Sequence, residues 1–161
     1  MTERYRVLAE RIEQELSALR RVVSRTKRSM ALAWEHPQER DVYLDSVALN
    51  LHDFYTGLER AFKQVAEMVD ESVPAGRNWH RDLLRQMVKE YPPFRPAVLS
   101  ERTGKLLEEY LRFRHVVRNV YAFEFDIHRL AYLVDRLDTV FDEVRRELES
   151  FVDFLRKLLE T

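Results

Sequence analysis

Cysteine is absent from this chain, which removes thiolate metal sites, disulfides and cysteine nucleophiles together. Glycine is scarce. Three isolated glycines in 161 residues cannot form a glycine-rich loop that cradles phosphate. Five prolines add only a few further places to turn. No stretch approaches the roughly 18 uncharged apolar residues that a bilayer span requires. The first residues, MTERYRVLAERIEQEL, are charged from the third position and lack the apolar run of a signal peptide. A soluble, cytoplasmic protein with no membrane association is therefore expected. The Glu-x-x-His pairs of a ferritin-like di-metal site do not occur. His36, His52, His80, His115 and His128 are dispersed along the chain, so neither a metal site nor a cofactor is expected. No serine sits at a strained, glycine-flanked turn of the kind that presents a nucleophile.

What is present is helical. A hydrophobic content of 45% beside 34% charged residues, rich in Leu, Arg and Glu, describes amphipathic helices rather than disorder. Apolar residues recur at helical spacing from about Glu3 to Trp34, where His36-Pro37 ends the run. A second helix is expected from Asp41, as N-cap, to about Asp70, with Gly57 inside it implying close approach of another helix. SVPAGRN is the clearest loop. Trp79 opens a short helix that Tyr91-Pro92-Pro93-Phe94-Arg95-Pro96 breaks. A fourth helix begins around Val98–Ser100 and reaches Tyr121; a fifth runs from Ile127 to Leu159 behind an Asp126 cap. The expected fold is all-α: an up-and-down four-helix bundle with one additional short helix, in a single domain over residues 1–161. Net charge is −1, yet no carboxylate occurs between Glu15 and Glu35, where Arg20, Arg21, Arg25, Lys27 and Arg28 cluster. That stretch reads as a solvated face, or alternatively as a strip for RNA or an acidic partner.

The chemistry gathers in LRFRHVVRNVYAFEFD, residues 111–126. At about 100° per residue, Arg114, Arg118 and Tyr121 share one narrow helix face, with His115 and Asn119 on the adjacent stripe. Phe113, Val116, Val117 and Val120 occupy the edge that can pack inward. Two guanidiniums, an imidazole, an amide and a phenol within two turns suit a phosphodiester, which needs fixed cations and groups that donate or relay protons. Arginines on an amphipathic helix otherwise sit in solvated ion pairs. Trp79-His80 could stack on a base, or simply staple its loop to the core.

Three blocks in order then carry a resemblance: YLDSVALNLHDFYTGLERAF in the second helix, GRNWHRDLLRQM after the loop, and FRHVVRNVYAFEFD. Together they resemble the HepT-like branch of the HEPN superfamily, small helical bundles often encoded beside a minimal nucleotidyltransferase. The resemblance implies a metal-independent endoribonuclease, the toxin of a toxin–antitoxin pair, working as a homodimer whose two motifs meet across a cleft. Arg114 then takes the motif's Arg position, His115 its polar position and Tyr121 its Tyr position, where the nucleotidyltransferase antitoxin would add nucleotides. Arg118 and Arg112 are expected to hold RNA phosphates. Asn119 stands where the family carries His. An amide cannot exchange a proton near neutral pH, so His115 becomes the proton-transfer candidate, with Asn119 a hydrogen-bond donor. The alternative is a catalytically weakened, non-enzymatic subunit that binds a nucleotidyltransferase.

Overall fold

The structure, a computed structural model, describes residues 2–119 and 125–160; the side chains of Arg118 and Asn119 lie outside that description. Among the described residues there are five α-helices: α1 (Thr2–Glu35), α2 (Arg40–Val65), α3 (Trp79–Val88), α4 (Glu101–Asn119) and α5 (Ile127–Leu159). The fold is all-α, as the apolar spacing requires. Leu8, Ile12, Leu16, Leu19 and Val23 of α1 are buried, as are Val47, Leu51, Phe54, Leu58 and Phe62 of α2, each at three- or four-residue steps. Every fully buried Leu or Phe of this kind contributes about 1.5–3 kcal/mol relative to an exposed position.

The helix pairs reveal their directions through cross-helix contacts. Along α1 and α2, Arg4 meets Glu71, Glu15 meets Arg60, and Ser29 meets Ser46. One number rises as the other falls, so the two helices are antiparallel. α1 and α5 run antiparallel too, through Glu13 with Arg156 and Lys27 with Asp138. The same two-ended comparison applies to α4 and α5, where Arg102 meets Glu143 and Tyr110 meets the Leu133 carbonyl, again antiparallel. α2 also packs on α4, which closes a ring of four helices, and α3 lies against α2 and α4.

Helix ends follow local chemistry. Asp126 caps α5, its Oδ1 accepting from the His128 amide at 2.9 Å. Ser100 Oγ accepts from the Thr103 amide at 3.2 Å and starts α4. Asp41 does not cap α2 as expected. A 3-10 turn at Pro37–Glu39 leads directly into the helix, so α2 begins at Arg40 and Asp41 lies within its first turn, where a carboxylate suits the helix dipole. α2 continues into a π-helical turn, Ala66–Asp70, which ends on Glu71 in the left-handed region (φ 53°). Gly57 is required where it stands: a Cβ there would meet Leu19 Cδ2 at 2.7 Å.

Charged side chains off the apolar stripes fall into two settings. Arg95, from the proline-rich turn, is fully buried and donates through Nε and NH2 to the Asp70 carboxylate at 2.6 and 2.8 Å. Its remaining donors reach the carbonyls of Lys89, Pro96 and Gln86. On α1, Arg21, Arg25 and Arg28 are exposed, while Lys27 pairs with Asp138 and Arg20 lies 5.8 Å over the Phe141 ring.

Candidate functional site

Arg114 is buried rather than solvent-facing. It turns inward from α4 toward α2 and α3, with 9% of its surface exposed. Its NH2 lies 3.7 Å from Glu59 Oε1 on α2, and its NH1 lies 3.3 and 3.2 Å from His80 Nδ1 and Nε2 on α3. Three helices thus contribute one polar, ionisable side chain each to a single group. Helix periodicity explains Glu59: it follows Tyr55 by four residues and precedes Phe62 by three, on the stripe that α2 buries. His80 sits in the first turn of α3, where the chain returns from the loop after Glu71.

Glu59 is the hinge of the group. Its Oε2 lies 2.7 Å from His80 Nδ1. An ionised carboxylate only accepts hydrogen bonds, so in the neutral imidazole the His80 Nδ1–H donates to it and Nε2 carries the lone pair. Burial, and then the Glu59 charge, push the neighbouring Tyr55 phenol far above its ordinary range, while Arg114 opposes them. Tyr55 is therefore a neutral hydroxyl at any working pH. Trp79 lies against the His80 ring with centroids 3.5 Å apart, and Lys63 Nζ stands 4.7 Å over the Trp79 ring.

The two buried arginines differ in how fully they are satisfied. Arg95 has five hydrogen bonds and a paired carboxylate. Arg114 has a loose ion pair, an NH1 that donates to His80 Nε2, and an Nε that is buried without a hydrogen-bond partner among the described residues. A guanidinium offers five donors in a rigid fork, and among the described residues this one leaves its Nε unpaired. Held in place by Glu59 and His80, it is a fixed cation suited to donate to an anion's oxygens.

The other residues expected at the site divide. Arg112 is exposed and lines a separate cleft between α4 and α5 with Glu109, Arg129, Tyr132 and Leu133. It lies two residues, about 200°, around α4 from Arg114, so the structure does not bring the two together. His115 is exposed on α4 and is rotated about 100° from Arg114. The side chains of Arg118 and Asn119, and Tyr121 as a whole, lie outside the described residues. Sequence reasoning missed Glu59 altogether and treated His80 as a staple or stacking group. The signal for Glu59 was available: a carboxylate on an otherwise apolar stripe needs a cationic partner.

The family profile of the HepT-like proteins matches residues 46–155. This chain belongs to the HepT-like protein family. The HepT-like match runs from α2 into α5 and so includes Glu59, His80 and Arg114, while α1 with its basic stretch precedes it. No curated protein and no solved structure matches the chain.

Proposed function

We propose that this HepT-like chain is a HEPN-type, metal-independent endoribonuclease, the toxin of a pair whose antitoxin is a minimal nucleotidyltransferase, acting in the cytoplasm as a homodimer of single-domain protomers. Family membership supports the reading at the level of the superfamily. The observation that carries it to this site is the contrast between Arg95, whose donors are all occupied, and Arg114, whose Nε has no described partner. Arg114 binds the scissile phosphate and stabilises the charge that develops on it. Arg118 holds an adjoining phosphate, and Tyr121 receives the nucleotides added by the antitoxin. Attack by the RNA's own 2′-hydroxyl requires neither metal nor cofactor.

The test is cleavage of RNA by the purified protein in EDTA, beside Arg114→Ala and Asn119→His. Cleavage by the parent that falls by roughly 10²-fold or more in Arg114→Ala is expected, as for loss of a preorganised charge-stabilising donor. Arg114→Ala also leaves Glu59 buried without its cation, so a thermal melt accompanies the assay, and Arg114→Lys, which keeps the charge and loses the fork, separates folding from chemistry. A second reading, a nucleotidyltransferase-binding subunit without activity, is favoured by one specific residue, Asn119 in the family's His position. An inactive parent that gains cleavage in Asn119→His would assign the protein to it.

A further inference from the structure

We infer that His80, oriented by Glu59, is the general base of the Arg114 site and performs the proton transfer that Asn119 cannot. The inference rests on the ribonuclease reading above. Its grounds are geometric. The Glu59 carboxylate, 4% exposed, fixes the His80 Nδ1–H at 2.7 Å and so fixes the tautomer. Nε2 is left as the basic nitrogen. With Nδ1 carrying its proton toward Glu59, Arg114 NH1 can donate only to Nε2, 3.2 Å away, so the basic nitrogen faces the guanidinium and is released when that donor turns to a phosphate oxygen. The His80 side chain keeps 22% of its surface exposed, against 10% for Arg114 and 6% for Glu59. Carboxylate, imidazole and guanidinium thus form an ordered series with the imidazole reaching solvent. Glu59 acts as a positioning residue; His80 touches the reacting atom. His115 is turned about 100° away from Arg114 along α4.

The step balances without a further reagent. His80 Nε2 takes the proton of the RNA 2′-hydroxyl as its oxygen attacks phosphorus. The O2′–P bond forms, the P–O5′ bond breaks, and Arg114 holds the non-bridging oxygens. The leaving 5′-oxygen takes a proton from water, and the imidazolium neutralises the hydroxide that remains. The products are a 2′,3′-cyclic phosphate and a 5′-hydroxyl.

The experiment uses the full chain, a mixed-sequence single-stranded RNA, and the same sequence as a 2′-deoxy analogue that cannot react. His80→Ala and His80→Gln are expected to cleave about 10²–10⁴-fold more slowly than the parent and to bind the analogue within about twofold of it. Free imidazole restores cleavage to His80→Ala. Glu59→Gln lowers kcat by roughly tenfold or more and leaves KM in place, as expected of a residue that orients the base. If His80→Ala loses its helical circular dichroism, His80→Gln, which keeps a donor toward Glu59, decides the matter. Parental rates in both His80 variants would overturn the inference and leave the ribonuclease reading standing. So would activity lost together with analogue binding and not restored by imidazole. A parent that neither cleaves the RNA nor binds the analogue would remove both.

Discussion

Asp70 and Arg95 stand 25 positions apart in sequence and meet with both side chains wholly enclosed. Gln86 joins them, its Nε2 donating to Asp70 Oδ2 at 2.8 Å and to the Ser72 carbonyl at 2.9 Å. Such a pair contributes little beyond what apolar residues of the same volume would, but removing one partner strands the other's charge in the interior. Asp70→Ala is therefore expected to destabilise the fold by about 3–5 kcal/mol, read as a lower melting temperature and a lower denaturant midpoint. Asp70→Asn, which can still accept from the guanidinium, should lose less. Neither this knot nor the Glu59–His80–Arg114 group was legible in the sequence. Apolar spacing orders residues within one helix, whereas both groups join residues from different elements, 34 positions apart for His80 and Arg114. The Asp126 cap, by contrast, depends on a contact two residues away, and the sequence alone was enough to find it.

At the scale of elements, two helical glycines make opposite predictions. Alanine is favoured over glycine inside a helix by about 1 kcal/mol. At Gly57 the added methyl would meet Leu19, which is buried in the core and cannot move aside, and overpacking of that kind costs about 1–3 kcal/mol. Gly57→Ala should thus lower the melting temperature by a few degrees, at about 2–4 °C per kcal/mol for a chain of this size. At Gly104 the obstacle is Val88 Cγ2 on the half-buried last residue of α3, which can rotate away. Gly104→Ala should melt at or slightly above the parent temperature. Gly57's close approach was legible because a mid-helix glycine is otherwise unfavourable. The start of α2 was not. Asp41 has a cap's chemistry, but the Pro37 turn reaches helical geometry before it.

The whole molecule can be tested through its buried phenols. Tyr110 is 1% exposed and donates its hydroxyl to the Leu133 carbonyl, and burial pushes its ionisation far above the ordinary value, as for Tyr55. A raised folded-state pKa means a contribution to stability that is complete below the unfolded value, about 10, and is lost as pH rises above it. Alkaline titration should show exposed tyrosines ionising first, followed by a later absorbance step that coincides with loss of helical circular dichroism. A single smooth titration with the helices intact would contradict this burial. Fold class was legible at this scale because a 3.6-residue apolar period over five segments admits few alternatives. The direction in which Arg114 points was not, since it depends on which neighbour lies beside α4.

The π-helical turn at Ala66–Asp70 has a consequence for insertions and deletions. It closes its ring over five residues where an α-turn uses four, so everything beyond it lags in angular phase. Deleting exposed Glu67 would regularise the helix, and the loop after Glu71 has length to absorb the change. Four α steps cover nearly the arc of the five π steps they replace, so Asp70 would keep its direction and still face Arg95. The same deletion made earlier, within the regular turns of α2, would have no such compensation: it would carry Asp70 about 100° around the axis and undo an ion pair contributed by a different part of the chain.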